Sequence, residues 1–307
     1  MNDYMSRIIE SANDALLHKA SSLGDANLLQ RVLDSGKVHV DCCDFEGTTA
    51  LMLAASNDHM ECLELLVQDG ADVNAQRVTG THALFFAAQA GNTEVAEFLI
   101  RAGASVNLAS HEGGTPLFVA AQCGRLPVAA LLVSNGASVN AEMTGDAATP
   151  LFMASQNGHI DVVKFLISKG ARVNHTRKDG ASALWIASQM GHVKVVNELI
   201  THGATVDQLR CDGATPMFKA AHKGHQQVVE LLLAHEARTD LLPNGESALH
   251  AAALFGHLPI VKTLVLHGAQ TFLRNKSGET PLELAEQMGY ESIVNYLLQH
   301  RPTESSV

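Results

Sequence analysis

The sequence predicts an all-α solenoid of about nine stacked helix–turn–helix units, and three periodic features indicate it. A turn residue, usually Gly followed by His, recurs every 32 to 34 residues along the 307-residue chain. A Leu or Met followed by a pair of small residues comes before most turns, and apolar doublets with a Gly-Ala step come after them. The turn positions are Gly24, Asp58, Gly91, Gly124, Gly158, Gly191, Gly224, Gly256 and Gly289.

Each recurring position of the repeat, called a column below, has a physical reason. Leu51 followed by a pair of alanines predicts a short first helix whose small face lets a neighbouring helix approach closely. The turn Gly permits a positive φ, which a residue with a Cβ resists. Val162 and Leu166 then follow the spacing of a second, amphipathic helix, and Gly170 is placed as its cap. Polar segments such as 275–278 carry turn chemistry that joins one unit to the next. Because one unit cannot bury its own apolar face, successive units must stack.

Three segments read Gly, any residue, Thr, Pro and an apolar residue: 113–117, 213–217 and 278–282. Together with the period they resemble ankyrin repeats, and the resemblance extends from about residue 12 to residue 300. It implies nine helix–turn–helix units joined by β-turn fingers, with the first and last units acting as caps between tails at 1–11 and 301–307. The implied units lie near 12–43, 44–76, 77–109, 110–143, 144–176, 177–209, 210–241, 242–274 and 275–300.

Three places depart from the pattern. Asp58 occupies a turn position, although Asp tolerates the left-handed region better than most residues. Glu236 replaces a capping Gly, where a Cβ is expected to cost about 1 kcal/mol, and the unit after it is one residue short. Residues 144–147 gain one residue and lose the usual finger Gly. Because a one-dimensional stack opens where an interface is weakest, we expect the Glu236 joint to be the most mobile internal point.

Charge is distributed unevenly along the chain. It has 32 acidic and 21 basic residues, a formal net charge of −11. Residues 1–150 hold 18 acids and 7 bases, whereas residues 151–307 hold 14 of each. This acidity argues against nucleic acid as a partner, because phosphate binding needs clustered Lys and Arg. The excess of acidic residues is explained either by solubility or by a basic partner that is steered to the amino-terminal half.

The chain carries no pattern typical of a secreted or membrane protein. Its five cysteines are odd in number and show no CxxC spacing, which argues against a disulfide framework. It has no apolar leader and no run of about 18 apolar residues. We therefore expect a soluble cytoplasmic monomer without membrane insertion, with the nucleus as an alternative location.

No catalytic or cofactor motif emerges from the sequence. Eight of the 16 histidines fall in two columns of the repeat, five directly after the turn residue and three before the cap. HExxH, GxxxxGK[ST], GxGxxG and GxSxG are all absent. The sequence therefore predicts a protein that is not an enzyme and has no catalytic residues, cofactor or metal.

The resemblance places recognition on the concave surface, at the fingers and at the two residues before each turn. Gln recurs two residues before the turn in four consecutive units. Such a ladder of amides could pair with an extended peptide, although solvated, helix-forming glutamines explain it at least as well. Leu254 and Phe255 form an apolar pair in a solvent-facing column, which predicts a hot spot. The predicted protein-binding residues are Phe45, Glu46, Gln89, His111, Gln122, Gln156, Gln189, Met190, His222, Lys223, Leu254 and Phe255.

The last four residues resemble a class I PDZ ligand. Glu304, Ser305, Ser306 and Val307 place an apolar residue at the end, a Ser two positions before it and an acid ahead. Such a tail adds as a strand to a sheet edge while its carboxylate enters a backbone nest. A PDZ domain is therefore among the expected partners.

The leading hypothesis is a non-enzymatic scaffold or adaptor that binds protein partners on the concave surface of fingers and first helices. Rigid stacked units preorganise many weak contacts, so little entropy is lost per contact on binding. The alternative is a regulatory inhibitor that masks a basic segment of a partner through the acidic amino-terminal repeats. Salt-sensitive binding confined to residues 12–150 would favour that alternative.

Overall fold

The computed structural model describes residues 11–243 and 245–300, so the PDZ-like residues 304–307 lie outside the described part of the chain. Within the described part it contains eighteen α-helices and no β-strand, which confirms the all-α prediction. None of these helices is long and apolar enough to cross a membrane. The helices form nine pairs, a first and a second helix in each repeat.

The pairs, in chain order, are α1 (Ala12–Leu23) with α2 (Ala26–Asp34), α3 (Ala50–Ser56) with α4 (Met60–Gln68), α5 (Ala83–Ala90) with α6 (Thr93–Arg101), α7 (Pro116–Gln122) with α8 (Leu126–Ser134), α9 (Pro150–Gln156) with α10 (Ile160–Ser168), α11 (Ala183–Met190) with α12 (Val193–Thr201), α13 (Pro216–Lys223) with α14 (Gln226–Ala234), α15 (Ala248–Leu254) with α16 (Leu258–Leu266), and α17 (Pro281–Gln287) with α18 (Glu291–Gln299).

Most first helices begin at a Ser or Thr that caps them. Before α7, Thr115 Oγ1 accepts a hydrogen bond from Phe118 N at 3.2 Å, and Pro116 occupies the first helical position. His82 stands at the equivalent place before α5 and makes no capping bond. At the other end, Gly191 terminates α11 in the left-handed region with φ 79°, so the second helix starts almost at once.

The chain divides into two compact blocks. The amino-terminal block comprises residues up to 154 together with 168–171, and the carboxy-terminal block comprises 155–167 and the residues from 172 onwards. In the amino-terminal block the first helices α1, α3, α5 and α7 pack against one another in succession. In the carboxy-terminal block α11, α13, α15 and α17 do the same, and the second helices α12, α14, α16 and α18 form a parallel row.

The core of each block is built from the repeated apolar columns. Leu84 and Leu99 in the amino-terminal block and Leu249 and Leu264 in the carboxy-terminal block are essentially fully buried. The alanines beside them on the first helices are buried as well, which permits the close approach of neighbouring helices. Because no repeat covers these residues alone, burial requires the next repeat in the stack.

A ladder of asparagines joins successive repeats. Asn74 Nδ2 donates to Gly103 O at 3.0 Å, and Asn74 Oδ1 accepts from Ser105 N at 2.8 Å. Asn107 in the amino-terminal block and Asn174 in the carboxy-terminal block make the same two bonds to their own next repeats. One amide thus satisfies both a carbonyl and an N–H of its neighbour, which sets the spacing between the two repeats.

The irregular turns place residues other than Gly in the left-handed region. Asp58 has φ 63° and Glu236 has φ 60°, at the two positions that the sequence pattern singles out. In the enlarged turn at 144–147, Ala147 with φ 61° takes over the conformation of the missing finger Gly. Residues with a Cβ resist this region by roughly 1 kcal/mol or more. The expected mobility around Glu236 stays a prediction.

Candidate protein-binding face

A side chain just after each turn holds the end of the preceding repeat's first helix. His225 Nε2 donates to Gln189 O at 2.9 Å, and in the amino-terminal block Arg125 Nε donates to Gln89 O at 3.1 Å. Equivalent bonds are made by His59, Asn92, His192 and His257. The histidines after the turn therefore have a structural task. The predicted binding residues Gln89 and Gln189 lie on helix ends that are anchored from the next repeat.

In the carboxy-terminal block the last residue before the turn is exposed in four successive repeats. Met190, Phe255 and Met288 expose 46, 44 and 51% of their surface, and Lys223 is exposed between the first two in the series. His222 precedes Lys223 on α13, and its ring centroid lies 4.2 Å from that of Phe255 in an edge-to-face arrangement. We name these five residues the pre-turn face. The structure thus brings predicted residues together, and it adds Met288, which the period alone could have supplied.

The two lysines of α13 differ in their surroundings. Lys219 Nζ lies 5.6 Å from the centroid of the Trp185 ring and 3.9 Å from the Asp212 carboxylate. Arg210 covers the same Trp185 ring at 4.9 Å. Lys223, in contrast, is exposed and makes no ion pair with any residue that the structure describes. Lys219 is therefore occupied by its own repeat stack, while the charge of Lys223 is open to a partner.

His222 contributes an aromatic ring to the pre-turn face. Burial lowers its pKa below the ordinary value of a histidine, and the positive charges of Lys219 and Lys223 and the nearby His257 lower it further. Its ring also stacks on Phe218, with centroids 6.4 Å apart. At neutral pH His222 is therefore uncharged and presents ring surface beside Phe255.

The other predicted residues before the turn are less prominent. Leu254 is half-buried at the end of α15, so Phe255 supplies most of the exposed apolar surface of that pair. The predicted glutamine ladder is shared between the blocks. Gln89 and Gln122 are exposed in the amino-terminal block, and Gln156 and Gln189 are half-buried in the carboxy-terminal block.

The predicted finger residues lie in the amino-terminal block. Phe45 is 85% exposed at the tip of its finger. Glu46 forms an ion pair with Arg77 of the next finger. His111 is exposed, and its backbone N–H donates to Thr79 O at 2.9 Å. Backbone bonds from finger to finger therefore fix these tips while leaving the Phe45 and His111 side chains accessible.

The acids near the first finger serve the fold. Asp41 is buried and accepts a hydrogen bond from Asp72 N at 2.9 Å. Asp44 Oδ1 accepts from Glu46 N and Thr48 N at 2.9 and 2.8 Å. Other acids of the amino-terminal block are exposed, among them Glu61, Glu64 and Glu94 on the second helices α4 and α6.

Comparison with known proteins decides the family. The sequence model described as ankyrin repeats (3 copies) matches residues 6–77, 75–143, 151–242, 203–275 and 235–306. The chain belongs to the ankyrin-repeat family. Ankyrin repeat domain-containing protein 29 is similar to it, with 52% identity over 58 residues for the Danio rerio protein and 50% over 58 residues for the Homo sapiens protein. Each alignment covers 19% of this chain and 20% or 19% of the relative.

A third relative, ankyrin repeat and SAM domain-containing protein 6 from Danio rerio, is 37% identical over 57 residues. That alignment covers 19% of this chain and 8% of the relative. The chain therefore aligns with about a fifth or less of the length of these curated relatives.

Two observations concern the groups of this ankyrin-repeat protein that could bind a metal or act as a nucleophile. Across residues 11–243 and 245–300, no three His, Cys, Asp or Glu side chains are grouped so that they could hold a metal ion. Burial, together with the nearby Asp14 carboxylate, raises the pKa of the Cys42 thiol to about 12. That thiol is therefore protonated at neutral pH and is not a nucleophile.

Proposed function

We propose that this protein is a non-enzymatic scaffold or adaptor that binds a protein partner on the pre-turn face of its carboxy-terminal block. Ankyrin repeats generally mediate protein–protein interactions. The observation that carries the proposal is the exposure of three large apolar side chains, Met190, Phe255 and Met288, at the same position of the repeat. Exposed apolar side chains that recur at one position mark an interaction surface rather than a solvated one.

Preorganisation of the backbone supports this function. The carbonyls of Gln189 and His222 accept hydrogen bonds from His225 and His257 of the next repeats, at 2.9 and 3.2 Å. Two of the four helix ends that carry the pre-turn face, those of α11 and α13, are thus held before a partner arrives. A rigid surface loses little conformational entropy on binding, so each modest contact contributes more to the affinity.

The predicted finger residues belong to a second, weaker part of the proposal. Phe45 is exposed at a fixed finger tip, and Glu46 is engaged with Arg77. We expect Phe45 to contribute a local contact for a partner of the amino-terminal block. Glu46 is expected to contribute little, because a partner would have to displace the existing ion pair.

A regulatory inhibitor that masks a basic segment is the second candidate function. Glu61, Glu64 and Glu94 are exposed and favour it, since exposed carboxylates attract a basic partner. Contacts between exposed charges weaken with added salt. Binding that falls steeply between about 50 and 300 mM salt, and that is lost on reversal of these three charges, would favour the inhibitor over the scaffold.

The test of the scaffold function compares partner binding by the full chain and three variants. Proteins captured from a cell extract are identified first, and the affinity of each purified partner is then measured by interferometry. Phe255→Ser and Met190→Ser should each weaken a partner of this face about 30-fold, the effect of losing a hot spot of about 2 kcal/mol. Leu266→Ser is the matched control, because Leu266 is 76% exposed at the end of a second helix. Equal affinity of all variants for every partner would refute the proposal.

A further inference from the structure

We propose that the pre-turn face binds a short peptide segment in which a carboxylate lies next to an aromatic or long apolar side chain. The carboxylate pairs with Lys223 Nζ, and the apolar side chain packs on Phe255 and His222. This inference rests on the proposed function and specifies the chemistry of its partner. It follows from the charged residues on the first helices and from whether each charged group near the pre-turn face is already paired.

The first helices of the carboxy-terminal block offer a carboxylate a single unoccupied cation. Helices α11, α13 and α15 contain only two charged side chains, Lys219 and Lys223. Lys219 lies 3.9 Å from the Asp212 carboxylate and over the rings of Trp185 and Phe218. Lys223 is exposed without an ion pair among the described residues. A carboxylate that binds here therefore pairs with Lys223.

The aromatic surface lies directly beside that cation. His222 is adjacent to Lys223 in the chain, and its ring meets the Phe255 ring edge to face at 4.2 Å. Because the pKa of His222 is lowered, the ring is neutral at pH 7 and does not compete for the carboxylate. Aromatic pairs stabilise a contact beyond the area they bury, so an aromatic ligand side chain is favoured over a small one.

The acids of the same block orient the segment. Asp212 is paired with Lys219 and Arg210. On α17, Glu283 Oε2 accepts from Thr280 N at 2.7 Å and pairs with Arg274, whereas Glu286 is exposed. A ligand carboxylate is therefore attracted at α13 and repelled at α17. We infer that the acidic residue lies at the Lys223 end and the apolar residue at the Phe255 end.

A polyanion such as nucleic acid does not fit this face. Affinity for a phosphate backbone comes from several Lys or Arg residues that act together. The first helices α11, α13 and α15 provide one lysine that has no ion pair among the described residues, and the residues at the same repeat position before and after it, Met190 and Phe255, are apolar. A short acidic segment needs only one local cation, because at physiological salt the charge of the rest of the chain is screened beyond about 8 Å.

Selection from a random peptide library displayed on phage tests the inference on the full chain. Enriched peptides should carry Asp or Glu within a few residues of Phe, Trp or Leu. One such peptide, labelled with a fluorophore, is then titrated with each protein variant, and Kd is read from anisotropy. Lys223→Glu should raise Kd at least tenfold. Lys194→Glu, the same charge change at an exposed site on the second helix α12, should change Kd less than twofold.

A charge swap completes the test. A peptide with its carboxylate replaced by a lysine should bind Lys223→Glu more tightly than it binds the wild-type protein. If Phe255→Ser abolishes binding but Lys223→Glu does not alter it, the acidic preference is wrong and the proposed function stands. If neither substitution alters the binding of any selected peptide, the proposed function fails as well. Enrichment of basic peptides would also overturn the inference.

Discussion

The two blocks of this protein share one backbone pattern and differ in the side chains that they present. At the position just before the turn, the amino-terminal block carries Leu23, Asn57, Ala90 and Cys123, of which only Leu23 is large and apolar, with 66% of its surface exposed. The carboxy-terminal block carries Asn157, Met190, Lys223, Phe255 and Met288 there, and all five are exposed. Because the apolar core is the same in both, stability does not require bulk at this position. The large apolar side chains Met190, Phe255 and Met288 are the basis of the binding function proposed above.

The residue after the turn also differs between repeats, although its side chain has a structural role. Arg125 in the amino-terminal block and His225 in the carboxy-terminal block both donate to the carbonyl two residues before the preceding turn. The repeat needs an N–H at that place and accepts more than one side chain that supplies it. A rigid imidazole and a flexible guanidinium nevertheless respond differently to a change at the turn, which leads to the first prediction.

Replacing the turn residue Gly191 of the carboxy-terminal block should cost more than replacing Gly91 of the amino-terminal block, because a histidine faces the first and an arginine faces the second. In Gly191→Ala the new Cβ would lie 2.6 Å from His225 Nδ1, and φ is +79°. Backbone strain and loss of the His225 bond together should lower the free energy of unfolding by about 2–3 kcal/mol. In Gly91→Ala the nearest atom is Arg125 Cδ at 2.8 Å, and this flexible chain can move aside. The expected loss there is about 1–2 kcal/mol.

Gly203→Ala is the control for both, because φ is +82° and no atom lies within 4 Å of the added Cβ. It should cost about 1 kcal/mol from backbone strain alone. Urea unfolding, followed by hydrogen exchange of the affected repeat, measures the three values. Equal losses at Gly191 and Gly203 would show that the histidine bond contributes nothing.

A buried histidine in each block should make the protein sensitive to acid. His82 is fully buried, and burial lowers its pKa; its Nε2 donates to Leu108 O at 3.0 Å. Burial also lowers the pKa of His250, whose Nε2 donates to Leu273 O at 3.1 Å. In both cases the unfolded chain binds the proton more readily than the folded chain. Their stabilisation is therefore complete above about pH 6.5 and is lost as the pH falls below it.

The contributions of His82 and His250 to the acid sensitivity should be distinguishable when each is changed to glutamine. His82→Gln should reduce the fall in urea midpoint between pH 7.5 and pH 5.5, with little loss at pH 7.5. His250→Gln should reduce the same fall but cost about 1 kcal/mol more at pH 7.5, because His250 Nδ1 also bonds Ser247 Oγ at 2.7 Å. The exposed His235→Gln serves as the control. An unchanged pH dependence in both buried-site variants would contradict the assignment.

The smallest expected effects concern two of the three irregular turns, those at Asp58 and Glu236. Glu236→Gly should raise the free energy of unfolding by about 0.5–1 kcal/mol, because Gly accepts a φ of +60° without a Cβ penalty. Asp58→Gly should gain less, since Asp tolerates this region better than Glu. Hydrogen exchange should also show the lowest internal protection near Glu236. Uniform protection across residues 225–260 would show that the joint is not a weak point.

Much of the fold could be predicted because the same buried residues recur at one period. The leucine and alanine columns, the Thr-Pro starts and the Gly ends place all eighteen described helices in register. The sequence also located the left-handed positions at Asp58 and Glu236. It did not identify Ala147 as the residue that replaces the missing finger Gly. That choice depends on how the enlarged turn closes between its two neighbours.

The candidate site was less predictable. The sequence shows which residues stand before each turn. It does not show which charged side chains near them are already paired. Lys219 and Lys223 are both lysines of α13, and only the structure shows that Lys219 is paired with Asp212 while Lys223 is free among the described residues. Only the structure shows that the acids Asp41 and Asp44 accept backbone hydrogen bonds.

The sequence by itself therefore determined the family, the number of repeats and the register of the helices. These depend on residue type at a fixed spacing, and the spacing is written in the chain. Only the tertiary structure decided which charges are occupied and which apolar side chains are exposed. Those properties depend on distances between residues about 30 positions apart, such as His222 and Phe255, and such distances exist only once the repeats are stacked.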